Sequence, residues 1–181
     1  MLAQARPKKQ AAIDEYCQKL RLDLVEAQPA IFAGPNPWVA LDSSPGKLFD
    51  GQLAYVYYEG SRPRLLVLLM RGPRHEWLQT VNYFYGPDGL LLKRERYLEQ
   101  TLANSALEES LYYENGRMLS RSSKDHALNG GHEDDSLFND HDAPEFISTD
   151  DLPFPAASDV TNEISQRDRP RSWFPSSPAA R

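Results

Sequence analysis

Tyr83-Phe84-Tyr85-Gly86-Pro87-Asp88-Gly89-Leu90-Leu91-Leu92 is the stretch that decides how this chain folds. An aromatic run enters a turn, and an aliphatic run leaves it. Pro87 pre-sets φ, and Gly89 tolerates the positive φ that closes such a turn, so the stretch predicts a β-hairpin. The same order occurs twice more. Tyr57-Tyr58 precede Gly60 and then Leu65-Leu66; Tyr112-Tyr113 precede Asn115-Gly116 and then Met118-Leu119. The second aromatic of each pair falls at 58, 85 and 113. Asn-Gly is the strongest short hairpin signal available. Three hairpins in succession predict an antiparallel meander.

Working outward, the strands are expected at 52–59, 64–71, 77–85, 90–98, 107–114 and 117–122. Six consecutive apolar residues from Leu65 to Met70 predict a strand buried on both faces. Alternation puts Trp77, Val81, Tyr83 and Tyr85 on one side with Gln79, and Leu78 and Phe84 on the other. The charged positions of 90–98 imply that one sheet face is partly wet. Upstream, Ile13, Tyr16, Cys17, Leu20 and Leu24 form one apolar stripe at helical period, which predicts an amphipathic helix over 8–27, stopped by Pro29. Residues 29–51 are rich in proline and glycine and read as a connection, with a short strand near 38–41.

Charge divides the chain. Residues 1–123 hold 15 Lys+Arg against 14 Asp+Glu, a net of +1; residues 124–181 hold 5 against 12, a net of −7, and six of the 14 prolines. The expected fold is α+β: an N-terminal amphipathic helix packed on an antiparallel β-meander of about six strands, followed by a disordered acidic tail. The expected organisation is a flexible N-terminus over 1–9, one helix-plus-meander domain over 10–123, and a proline-rich tail of low order over 124–181. Within the tail, Phe138, Phe146-Ile147, Leu152-Pro153-Phe154 and the basic-aromatic peptide around Trp173-Phe174 are the groups able to dock on a partner or fold back on the sheet, with low order the expectation for the whole segment.

Composition excludes some functions. No basic stripe releases counterions from a phosphate backbone, so no nucleic-acid partner is expected. No stretch reaches the length of an apolar membrane span. Cys17 is the single cysteine and reads as a small apolar group on the helix. His75-Glu76 lacks a second catalytic carboxylate, and Ser61, Ser105 and Ser110 lack a nucleophile context. His126, His132, Glu133, Asp134, Asp135, Asp140, His141 and Asp142 are metal-ligand types, but their spacing matches no compact metal site. No catalytic residue, metal or cofactor is therefore expected. What remains is an aromatic-rich sheet, in which Tyr55, Tyr57, Tyr83, Tyr85 and Tyr113 are the candidate surface for an unknown protein or small-molecule partner.

The strings Tyr83-Phe84-Tyr85-Gly86-Pro87-Asp88-Gly89-Leu90-Leu91 and Tyr112-Tyr113-Glu114-Asn115-Gly116-Arg117-Met118-Leu119 resemble small exported bacterial proteins that carry repeated Tyr-Tyr-x-x-Gly-x-Leu hairpins. They also resemble the MORN-like repeats of bacterial antitoxin and immunity proteins. The likeness spans 52–122, with a longer period than MORN arrays and with Ser61-Arg62-Pro63 displacing the glycines of the first repeat. The first resemblance implies a non-enzymatic exported protein, periplasmic or secreted, that works as a binding or interaction module. Leu2-Ala3-Gln4-Ala5 agrees with it, having the small-x-small form of a signal-peptide end. The second implies a cytoplasmic antitoxin or immunity protein. A metal-dependent hydrolase is the remaining alternative.

Overall fold

The computed structural model describes residues 5–24, 26–35, 37–42, 51–72, 74, 76–128 and 143–154. One helix, α1 (Ala5–Leu24), precedes eight strands: β1 (Ala30–Gly34), β2 (Val39–Leu41), β3 (Gln52–Glu59), β4 (Arg62–Arg71), β5 (Trp77–Tyr85), β6 (Leu91–Gln100), β7 (Ser105–Glu114) and β8 (Arg117–Ala127). A single 3₁₀ turn, Thr149–Asp151, follows. All eight strands form one antiparallel sheet in the order β2-β1-β3-β4-β5-β6-β7-β8. The fold is α+β, but it has eight strands where the sequence predicts six. Of the additional two, β2 falls on the short strand expected near 38–41, and β1 lies in the stretch read as a connection. At five and three residues they are too short to show a period, and prolines crowd their ends.

The repeated aromatic pairs have a structural meaning. The pairing register shifts between Tyr57 and Tyr58, between Phe84 and Tyr85, and between Tyr112 and Tyr113. Each shift leaves one extra residue in the strand that follows: Arg64, Leu92 and Leu119. The motif is thus a bulged hairpin used three times. Each bulge adds local twist and curls the sheet at the same level. At the last turn, Asn115 (φ 50°) and Gly116 (φ 73°) both take left-handed backbone, as a two-residue hairpin turn requires.

Register assigns the faces. Ile31, Tyr55, Val67, Asn82, Glu95 and Ser110 lie side by side across the sheet. On the reverse, Ala30, Val56, Leu66, Tyr83, Arg94 and Leu111 do the same. Helix α1 covers the first of these faces. Its Cys17, Leu20 and Leu24, flanked by Ile13 and Tyr16, pack on Leu65 and Phe84, which is the stripe the helical period picked out. Salt bridges fasten its polar flank, Arg21 to Glu95 and Lys9 to Glu114. The second face holds the larger core cluster, with Phe32, Val56, Leu66, Leu68, Val81, Tyr83 and Tyr85 below 2% exposure. Each such aliphatic or phenyl side chain contributes about 1.5–3 kcal/mol by leaving water.

A stretch of the acidic segment, 143–154, covers that second face: Ala143 is buried, and Phe146, Ile147, Leu152 and Phe154 pack on the cluster. Three of the four charged positions of 90–98, expected to leave one sheet face partly wet, are buried instead. Lys93, Arg94, Arg96 and Glu109 are each under 9% exposed, because covers on both faces and ion pairing replace the water.

Candidate functional site

The five tyrosines are divided by the sheet. Tyr55 and Tyr57 sit on the helix face with Ile31 and Leu53. Tyr83, Tyr85 and Tyr113 sit on the opposite face. Tyr55, Tyr83, Tyr85 and Tyr113 are buried and Tyr57 is half-buried, so they do not form one solvent-facing ring surface. The structure brings three of the five together, and it brings them under residues 143–154.

That return segment is held mostly through its backbone. The Tyr83 hydroxyl donates to the Pro144 carbonyl at 2.6 Å, and the Tyr85 hydroxyl to the Phe146 carbonyl at 3.2 Å. The Leu91 amide donates to the Ile147 carbonyl (2.8 Å), and the Thr149 amide to the Gly89 carbonyl (2.9 Å). Leu90 and Ser148 form an antiparallel bridge between them. A capping box then turns the chain: the Asp150 amide donates to Ser148 Oγ, and the Ser148 amide to the Asp151 carboxylate. Burial raises the pKa of both tyrosine hydroxyls, with Arg94 opposing at Tyr83 and Asp151 reinforcing at Tyr85. Both therefore stay protonated and remain donors.

Side chains anchor the segment at two points. Phe146 lies 5.5 Å from the Tyr83 ring centre, and Phe154 lies 5.0 Å from both Phe32 and Trp38. Where the segment meets the 60–61 and 86–89 turns, a cleft of about 410 Å³ opens, lined by Tyr58, Arg62, Asp88, Thr149, Asp150 and Phe154 among others. Farther along the face, Glu109 is shared by arginines. Arg94 approaches it at 3.2 Å, Arg121 at 2.6 Å and Arg96 at 3.9 Å, while Arg94 also reaches Glu145 of the return segment at 4.0 Å. Gln79, fully buried on this face, has no hydrogen-bond partner for its amide among the described residues.

The helix face has its own polar centre. Lys93 bonds Asp14 (2.5 Å) and Glu95 (2.7 Å), and the Tyr112 hydroxyl donates to Asp14. Burial opposes the Lys93 charge, but those two carboxylates outweigh it and hold the ammonium protonated. The Cys17 thiol is pushed up to about 12 by burial, so it is a packing group and not a nucleophile at neutral pH.

His132, Glu133, Asp134, Asp135, Asp140, His141 and Asp142 lie outside the described residues, as do His75, Phe138 and the Trp173-Phe174 peptide. Among the described residues, no cluster of His, Cys, Asp and Glu has the makings of a metal site, and no helix is long and apolar enough to cross a membrane. From the sequence, Phe146-Ile147 and Leu152-Pro153-Phe154 are groups able to fold back on the sheet, with low order expected of the segment, whereas the Glu109 centre is missed. Arg94 and Arg96 did carry a signal: they share a strand face with Leu98, two residues on. No known protein family, curated protein or solved structure matches this chain.

Proposed function

We propose that the protein is a non-catalytic binding module whose sheet face opposite α1 recognises an extended peptide. One observation carries this reading: the face already seats such a peptide in cis, by hydrogen bonds to the backbone carbonyls of Pro144, Phe146 and Ile147. Contacts of that kind do not depend on the side chains bound, so the mode supports a partner segment as well as the resident one. Specificity comes from two aromatic sockets, at Tyr83 and at Phe32/Trp38, filled by Phe146 and Phe154. The partner is therefore a peptide that is extended at its first aromatic and turns before a second one, eight positions on. Export to the periplasm or beyond belongs to the same proposal, on the strength of the hairpin resemblance. Fractionation of cells expressing the gene tests it, and retention in the cytoplasm rejects it.

The binding test uses a fluorescein-labelled peptide with the sequence of 143–154, titrated with the full chain. Phe146→Ala with Phe154→Ala weakens the resident segment, so that variant should take up the free peptide about tenfold more tightly than the wild type, a change of about 1.4 kcal/mol. A folded variant that gains no affinity for the peptide refutes the reading.

A further inference from the structure

We propose that β8 is the edge through which two copies of this chain pair, antiparallel, into a continuous sixteen-stranded sheet. The two edges of the eight-stranded sheet are treated differently. β2 is three residues long, which is one ordinary way of blunting an edge. β8 is eleven residues long, contains no proline, and among the described residues pairs only with β7. Its single register shift lies near its start, and from Ser120 to Ala127 the ladder is regular. That run offers an unbroken row of outward backbone donors and acceptors. Arg121, Ser122, Ser123, Lys124 and Asp125 are all exposed. At the end of the strand, the Leu128 amide donates to the Asn104 carbonyl on the β7 side.

Charge selects the occupant and the register. A two-fold axis perpendicular to the sheet pairs residues of equal parity, so only a few registers are open to self-pairing. With the axis at Ser123, Arg121 faces Asp125 of the other copy, and the symmetry repeats this pair. Ser122 then faces Lys124, Ser120 faces His126, and Leu119 faces Ala127. No like charges are directly opposed, and two opposite-charge pairs are. Moving the axis to Arg121 would oppose two arginines. Moving it to Ser122 would lose both direct ion pairs. The edge therefore complements itself in one register better than in its neighbours. Both partners of the pair are in place without rearrangement: Arg121 is already steadied by Glu109, and Asp125 lies on the same sheet face.

Sedimentation equilibrium of the full chain, from micromolar to millimolar concentration, reads the association directly. Twice the monomer mass at the upper end is expected, and a monomer throughout overturns the proposal. Asp125→Lys sets a lysine opposite Arg121 and should weaken association by about tenfold or more; unchanged association would overturn the register. Ser123→Cys places two thiols opposite each other at the axis, where a methylene-length bis-thiosulfonate reagent should join them. Met118→Cys is equally exposed but lies far from its symmetry mate, so it should stay unlinked. Equal cross-linking of both variants means random contact and sinks the proposal. The buried Cys17 leaves the readout clean.

Discussion

On the helix face, twenty residues of α1 lie on the sheet and bury an apolar stripe, with Arg21 and Lys9 tied down at its flank. On the other face, the return segment reaches a larger apolar cluster with a few backbone hydrogen bonds and two phenyl anchors. The first cover is built from periodic side chains. The second combines carbonyl groups that any residue has with apolar side chains that obey no period, and apart from Ala143 its residues remain at least partly exposed. A periodic cover must unfold with the sheet, because its side chains are the core. A backbone-held cover can leave and let something of similar shape take its place. On the proposed reading, the sheet is a structural layer on one side and a recognition layer on the other.

The sharpest way to break this contrast is to truncate the helix face. Phe84 is fully buried between Leu65 and the helix, with the Arg21 guanidinium 4.8 Å above its ring. Phe84→Ala should cost about 3–5 kcal/mol and lower the urea midpoint by one cooperative transition, seen alike by circular dichroism and tryptophan fluorescence. A loss below about 1 kcal/mol would mean that α1 is as loosely held as the return segment.

Alkaline pH should strike the helix face first. Burial holds the Cys17 thiol proton in the folded state up to a pKa of about 12, from a usual 9.0. The folded state thus keeps a proton that the unfolded state releases. This stability is fully present below pH 9 and is lost as pH rises through 12. Tyr83 and Tyr85 on the other face act with the same sign, but only above the ordinary tyrosine value of 10.0. Wild-type protein should lose about 2 kcal/mol by about pH 10.5 through Cys17, and Cys17→Ala should be spared that part of the loss. Equal alkaline losses in the two proteins would remove Cys17 from the account.

How far the sequence could be read follows from the same contrast. Bounds of 52–59 and 77–85 matched β3 and β5, because aromatic and β-branched residues alternate there and glycine turns close the ends. The α1 stripe was legible for the same reason. β8 was cut short at 122: an edge strand has one partner and needs no apolar alternation, so Ser123-Lys124-Asp125 looked like tail. β1 was lost among prolines. The apolar groups of the return segment are legible as able to dock on the sheet, but the places they fill are not, because Phe146 and Phe154 obey no period of their own; the sockets on the sheet set their spacing. Arg94 and Arg96 suggest water when each charge is taken alone, whereas cross-strand register puts Glu109 beside them. Tyr83, Tyr85 and Tyr113 do lie together on one face, and that Phe146 seats against Tyr83 is not legible in the sequence.

The smallest expected effect separates the two covers most cleanly. Gly89 has φ +82°, and a Cβ placed there would lie 2.7 Å from Thr149 Oγ1. Gly89→Ala therefore strains the backbone and pushes on the return segment at the point where the Thr149 amide bonds the Gly89 carbonyl. The strain is worth about 1–2 kcal/mol if the segment stays docked. If the segment lets go, the cost is capped at its docking free energy. Amide exchange distinguishes the two cases. The Thr149 and Leu91 amides should lose about tenfold protection, while amides of β3 and β4 beneath α1 lose less, because the sheet keeps its helix. If β3 and β4 lost as much protection as Thr149, the return segment and the sheet would be one cooperative unit. The face would then have no free state in which to meet a partner, and the distinction between a structural and a recognition layer would fall with it.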